Sequence, residues 1–257
     1  MTQQVVAASA VPEINVVTFA DLTQALRQGW RDFTLAPMFG LFFASVYVLG
    51  GWVMYLALTV SGQLWWTLPA AAGFPILGPF IACGLYEVSR RIEQGRPLGW
   101  RSVLGVVWAE KNRQIPSIAV VIVVFFLFWN FLAHMIFALF MGLSAMTDVS
   151  SSLAVFLTPN GLAMLAVGTA VGAVFATLLF SITVVSLPLM MDREIDFVTA
   201  MIVSFGTVQA SPVVMLGWGF FIAVLVFLAM LPGFLGLLIV LPVLGHATWH
   251  LYRRALV

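Results

Sequence analysis

The histidines are the side chains of this sequence best suited to chemistry. His246 and His250 are four residues apart, so on a helix their rings share one face. Such a pair can bind a metal or take part in haem ligation, although two ligands alone do not make a site. We favour a structural role, in which His250 is a polar tip at an interface with water and His246 bonds a backbone carbonyl. No metal or cofactor is therefore predicted.

His134 follows Asn130 by one helical turn, in an otherwise apolar stretch. Polar side chains in such a stretch tend to face the interior of a helix bundle or a cavity. A hydrogen bond from either residue to another helix would contribute about 0.6–2 kcal/mol. We expect a helix contact here rather than a ligand site.

Signatures of enzymes are missing from the sequence. It contains no G-x-S-x-G, Walker loop or H-E-x-x-H motif, and the lone Cys83 lies in an apolar segment. With a net charge of +1, a nucleic-acid partner is not expected either. We predict a protein without catalytic residues.

Composition places the chain in a membrane. Hydrophobic residues make up 62% and charged residues 8% of the 257 residues, against about 25% charged in soluble domains. Apolar runs long enough to cross a bilayer recur along the chain. They predict an all-α protein with six transmembrane helices: Pro37 to Val60, Leu64 to Tyr86, Ile115 to Leu143, Gly161 to Leu189, Pro212 to Leu231 and Gly233 to Tyr252.

The cations predict the orientation. All 11 Lys and Arg residues fall in the segments on one side of the predicted spans, and cationic loops remain in the cytoplasm. Six spans then place both termini inside. We expect residues 1–18 to form a disordered cytoplasmic tail and residues 19–257 a single transmembrane domain.

A repeat divides that domain into units of roughly 19–96, 97–195 and 196–257. Each unit has an amphipathic helix, a proline (Pro37, Pro116 or Pro212) and a hairpin of two spans. The amphipathic helices suit either the lipid headgroup boundary or the inner ends of the spans, and Asp196 is the predicted N-cap of the third. The units would be parallel. Superposing the first and third matches Glu87 with His250 and predicts that these two pair.

Two further patterns concern how the helices pack. Gly73, Pro75, Gly78 and Pro79 interrupt the second span and predict a kink or local unwinding, as a packing feature or as a transport site. Gly168 and Gly172 form a small-residue face on the fourth span, which suits a close contact inside the chain or with a partner.

Two stretches of the chain carry a family resemblance: Gly29-Trp30-Arg31-Asp32-Phe33, and the run from Leu77-Gly78-Pro79-Phe80 to Arg90-Arg91. They resemble a bacterial integral membrane family called domain of unknown function 2189. The similarity runs from about Phe19 to the C-terminus. The resemblance implies the bacterial cytoplasmic (inner) membrane and carries no catalytic residues over. Some relatives are labelled as cytochrome oxidase components.

Together these patterns predict a non-enzymatic accessory or scaffold subunit, surrounded by lipid and docked against a larger inner-membrane complex, with a respiratory (cytochrome oxidase type) complex as one candidate. The alternative is a small transporter or channel for a neutral or lipidic solute that uses the interrupted second span.

Overall fold

The computed structural model describes residues 10–61, 67–142 and 156–257, and the side chains of residues 10–56, 60, 78–142 and 156–257. These residues form α-helices, with one isolated β-bridge. The helices are α1 (Phe19–Leu35), α2 (Pro37–Ser61), α3 (Thr67–Glu93), α4 (Trp100–Glu110), α5 (Ile115–Met141), α6 (Pro159–Thr183), α7 (Ser186–Asp192), α8 (Phe197–Ala210), α9 (Pro212–Met230) and α10 (Leu237–Ala255).

Four segments are long and apolar enough to cross a membrane, judged on the described residues: Pro37–Leu56, Ile115–Met141, Pro159–Asp192 and Pro212–Met230. The other two predicted spans are also helices, α3 and α10. The side chains of the first half of α3 lie outside the described residues. Helix α10 places two histidines and two arginines within 19 residues, which lowers its hydropathy.

The fourth predicted span is divided into α6 and α7, with a turn at Val184 and Val185. Pro188 has no N–H to donate to the carbonyl of Val184, which explains an interruption at this point. The N-cap prediction for α8 is confirmed, because the Asp196 side chain accepts a hydrogen bond from the Thr199 N–H at 2.9 Å.

The short helices pack in a cyclic order. Helix α1 lies along α10, α4 lies against α3, and α8 lies against α6. Consecutive long helices also pair, as α2 with α3, α5 with α6, and α9 with α10. Helix α10 contacts α1, α2, α3, α7 and α9, so it occupies the centre of the bundle.

The two ends of the chain meet. Ile14 and Leu256 form an antiparallel β-bridge, and the Asn15 N–H donates to the Ala255 carbonyl at 2.9 Å. The Val17 N–H donates to Ser211 Oγ at 2.7 Å, and Val17 is buried. The prediction of a disordered tail is therefore wrong for residues 14–18, because these backbone groups have fixed partners. Residues 1–9 of that tail lie outside the described residues.

The core is concentrated at one end of the bundle. Its main cluster gathers around Trp249 and Tyr252, each 1% exposed, at the end of α10. We call this region the charged end. It comprises α1, α4, α7, α8, the segment 193–196 and the C-terminal turns of α3 and α10. In contrast, only 17% of the most apolar stretch of α5, and of α9, is buried inside the protein.

Candidate functional site

Asp32 and His250 form a buried pair at the charged end. His250 Nε2 lies 2.7 Å from Asp32 Oδ2, and the Asp32 side chain is 3% exposed. The predicted pairing of His250 with Glu87 is wrong, because α1 presents Asp32 to α10 across the helix contact. The pair joins the first helix of the chain to the last.

Gly29 makes this contact possible. A Cβ atom at residue 29 would lie 2.6 Å from both the Val243 carbonyl oxygen and the Ala247 nitrogen. These are backbone atoms, so they cannot rotate away. Leu22, Ala25 and Gly29 share the buried face of α1 with Asp32, and the close approach brings that carboxylate within reach of α10.

His246 lies one turn before His250 and is completely buried. Its Nδ1 lies 2.8 Å from the Ser89 hydroxyl on α3, and which atom donates depends on the tautomer. Its Nε2 has no hydrogen-bond partner among the described residues. The His246 side chain also interacts with the Leu85 backbone, so the expected backbone contact is joined by one to Ser89, and both link α10 to α3.

Glu87 is a buried carboxylate held by two arginines of its own helix. Arg91 Nε donates to Glu87 Oε1 at 2.6 Å, and Arg90 Nη1 lies 3.7 Å from Oε2. Arg91 Nη1 also donates to the Pro97 carbonyl at 3.2 Å, and Arg90 Nη1 to that of Met191 at 3.4 Å. Glu87 therefore orients arginines that fasten α3 to the following loop and to α7.

The last turns of α10 carry a second set of polar contacts. Trp249 Nε1 donates to Glu93 Oε2 at 3.0 Å, and the Tyr252 hydroxyl donates to Asp192 Oδ2 at 2.8 Å. Arg253 lies 3.2 Å from Glu93 and 3.4 Å from Asp192. These contacts join α3, α7 and α10 at the charged end.

Glu110, at the end of α4, is the third buried acid of this region. Arg113 Nη1 donates to Glu110 Oε1 at 2.6 Å, and its other amino group pairs with Glu194 before α8. Burial raises the pKa of Glu110, while Arg113 opposes that shift. The hydrogen bond to Glu194 raises the pKa of Arg113. These two pairs lie within the second predicted unit and connect the end of α4 to the segment that precedes α8.

The chemistry available at the charged end is that of paired ions. Its histidines face different partners, Ser89 and Asp32, and the described residues contain no group of three or more His, Cys, Asp and Glu side chains placed to hold a metal. Each of the three buried acids already has a nitrogen-bearing partner on the protein. The arrangement therefore suits holding helices together.

His134 has very different surroundings. Its ring is exposed on α5, and Nδ1 lies 2.7 Å from the Asn130 carbonyl of the preceding turn. The Asn130 amide donates to the Phe126 carbonyl at 3.0 Å. Within the described part of the chain neither side chain bonds to another helix. The expected contact with a second helix is thus not seen among the described residues, where this side of α5 is exposed.

One of the two glycines on the small-residue face of α6 packs closely against another helix. A Cβ atom on Gly172 would lie 2.9 Å from the Trp129 ring, so Gly172 packs against α5. A Cβ atom on Gly168 would meet nothing within 4 Å. Gly168 lines an apolar groove of about 430 Å³ between α5 and α6. The predicted close approach therefore holds inside the chain at Gly172 and leaves Gly168 open.

The second predicted span, which the glycines and prolines were expected to interrupt, forms one helix in the structure. Helix α3 runs from Thr67 to Glu93 through Gly73, Pro75, Gly78 and Pro79. The Tyr47 hydroxyl lies 3.0 Å from the position that a Cβ atom on Gly78 would occupy. The side chains at residues 73 and 75 lie outside the described set, and a kink at these residues stays a prediction.

These features, an all-helical bundle with long apolar segments and a charged end, can be compared with known proteins. Residues 67–192 match the family model of a predicted integral membrane protein, DUF2189. The resemblance found in the sequence is confirmed over these residues. The match runs from α3 to α7 and includes Glu87, His134 and Gly168. The Gly29 to Phe33 stretch lies outside it.

The DUF2189 match covers just under half of the chain, agrees with the four long apolar segments of an integral membrane protein, and adds no activity. Comparisons with curated proteins and with solved structures give no match.

Sequence reasoning missed two buried acids, Asp32 and Glu110. A signal was present, because each follows a tryptophan by two residues near the end of a short helix, after Trp30 in α1 and Trp108 in α4. Aligning the repeat units on these tryptophans places the two acids at equivalent positions. Both are less than 4% exposed.

Proposed function

We propose that this protein is a non-enzymatic accessory subunit that docks laterally, through the outward face of α5, on a larger complex in the same membrane. The observation that carries the proposal is the exposure of His134 on an apolar helix surface. Its neighbours on that surface are strongly exposed, with Phe131 at 64% and Leu127 at 53%. This docking face comprises Leu127, Phe131, His134 and Met135, and these side chains are exposed among the residues that the structure describes.

The free energy of a polar group in hydrocarbon favours this reading. His134 lies six residues beyond the midpoint of α5, which is about 9 Å at 1.5 Å per residue. That depth is inside a hydrocarbon core about 30 Å thick. Polar groups at such depth normally face protein, and a hydrogen bond to a partner helix would contribute about 0.6–2 kcal/mol.

The proposal includes the architecture of six spans in three parallel units. The order of short helix, long helix and long helix occurs three times, and each short helix packs on the second long helix of the unit before it in the cycle. The bridge between Ile14 and Leu256 puts both termini at the same end, as an even number of spans requires. The concentration of arginine at the charged end supports a cytoplasmic location for it, in a bacterial inner membrane.

A site-specific cross-linking experiment tests the docking face. A photoreactive amino acid is placed at Phe131 and, as a control, at Phe220, which is 73% exposed on α9. In native membranes we expect a protein adduct of one defined mass at residue 131 and lipid adducts at residue 220. His134→Leu should weaken the adduct at residue 131. Equal adducts at both positions, or none at residue 131, would contradict the proposal.

The partner class and the transport alternative remain separate proposals. Docking on a respiratory complex rests on the labels of some relatives, and identification of the cross-linked partner by mass spectrometry tests it. Transport of a neutral or lipidic solute through α3 predicts flux in proteoliposomes that falls when Pro75 and Pro79 are replaced by alanine. The structure offers no separate observation that favours transport.

A further inference from the structure

A second exposed feature lies on the other side of the bundle. An apolar groove of about 440 Å³ runs between α1, α9 and α10. This volume lies in the range of small-molecule sites, about 300–1,000 Å³. The groove is lined by Leu26, Arg27, Trp30, Phe221, Leu225, Ile239, Val240 and Val243.

The groove extends from the level of α1 into the membrane. Helix α9 begins at Pro212, at the charged end, so Phe221 and Leu225 lie about 14 Å and 20 Å further along it at 1.5 Å per residue. Ile239 is 49% exposed and Phe221 is 39% exposed. These walls are apolar and open to the outside of the bundle, so the groove faces hydrocarbon rather than water.

The rim of the groove carries a cation without a counter-ion. Arg27 is exposed and forms no ion pair with any described residue, and the same is true of Arg31 one turn later. On the inner side of α1, Arg254 is already engaged with Asp21 and Gln28. Arginine suits phosphate groups because its guanidinium donates in a planar fork.

Trp30 lines the same groove and follows Arg27 by three residues on α1. It is 52% exposed, and tryptophan favours the boundary between headgroups and hydrocarbon. The groove thus combines an apolar wall, an indole and a guanidinium that forms no ion pair among the described residues. These groups suit the acyl chain, the boundary region and the phosphate of a phospholipid.

We propose that this groove binds one acyl chain of an anionic phospholipid, whose phosphate is held by Arg27. Among the described residues no carboxylate pairs with Arg27 or Arg31, because Asp32 is engaged by His250. This favours a headgroup with net negative charge over a zwitterionic one, whose own cation would face these arginines. The site is distinct from the docking face on α5, and its failure would leave the proposed function intact.

The test is lipid binding by the purified full-length protein in nanodiscs of phosphatidylcholine, with and without phosphatidylglycerol. Native mass spectrometry after release counts the retained lipids. We expect retained phosphatidylglycerol in preference to phosphatidylcholine, and about fivefold weaker retention in Arg27→Gln, since one cation near the headgroups is worth about that factor. The matched control is Arg101→Gln, an exposed arginine of α4 that also lacks an ion pair among the described residues.

A second pair of variants tests the apolar part. Leu225→Phe fills the groove, and Leu228→Phe adds the same volume on the exposed side of α9. Only the first should reduce phosphatidylglycerol retention. The proposal is overturned if Arg101→Gln matches Arg27→Gln, if both phenylalanine variants behave alike, or if phosphatidylcholine is retained equally well.

Discussion

His250 and His134 lie in opposite surroundings, and the contrast separates the two parts of the molecule. His250 is held at 2.7 Å by a buried carboxylate from another helix, whereas His134 bonds only to the backbone of its own turn and is exposed. At the charged end the polar groups connect helices distant in sequence. On α5 they connect nothing in the described structure. Polar residues of the first kind stabilise the fold, and those of the second kind are free to recognise a partner.

The largest effect is expected from the buried pair. Asp32→Asn removes the carboxylate that faces His250, and we expect a loss of about 3 kcal/mol in the free energy of unfolding, toward the upper end of the cost of a buried polar group without its partner. A double-mutant cycle with His250→Gln, measured by denaturant unfolding in detergent, should show coupling of about 0.5–3 kcal/mol. Additive effects would mean that the pair does not act as a unit.

Gly29→Ala tests the helix contact that creates the pair. The added Cβ would meet two backbone atoms at 2.6 Å, and such overpacking costs about 1–3 kcal/mol. Gly105→Ala on α4 is the control, because its Cβ would meet nothing within 4 Å. Alanine there should be neutral or stabilise the helix by up to about 1 kcal/mol. Equal losses of stability in the two variants, measured by thermal unfolding, would contradict a close contact at Gly29.

The smallest effect is expected in the dependence of the protein's stability on pH. Burial raises the pKa of Glu110, so the folded state keeps the proton of this carboxyl to a higher pH than the unfolded state. Stability therefore falls as the pH rises from about 4.3, the pKa of an unfolded Glu, through the raised pKa of the folded state. Hydrogen bonds with Thr18 lower the pKa of Asp21. That group contributes stability above about pH 3.9, which is lost as pH falls through the lowered value.

Comparing the slopes of unfolding temperature against pH separates the two acids. Glu110→Gln should remove the decline above about pH 4.3, and Asp21→Asn should remove the opposite trend at lower pH. A slope that is unchanged in Glu110→Gln would show that this carboxyl is not the source of the decline.

Much of the helical layout follows from local sequence. Apolar length predicts the long helices, and the hydroxyl and carboxylate at Thr18 and Asp196 cap the helices that follow them, as short polar side chains do. The family resemblance is also confirmed for residues 67–192. These features depend on neighbours in sequence, which is why they can be predicted.

The partners across helices could not be predicted in the same way. The rotation of α1 that buries Asp32 depends on Gly29 meeting Val243 and Ala247, more than 200 residues away. Superposing the repeat units matched Glu87 with His250 as equivalent positions. Equivalent positions are not contacts here, because each short helix packs on a long helix of the preceding unit.

The most direct test of this account compares His134→Leu with His250→Leu in the same detergent. We predict that His134→Leu changes the free energy of unfolding of the isolated protein by no more than about 0.5 kcal/mol, as for an uninvolved surface position. His250→Leu leaves Asp32 buried without its partner and should cost about 3–5 kcal/mol. A loss for His134→Leu as large as that for His250→Leu would contradict the assignment of the α5 face to a partner.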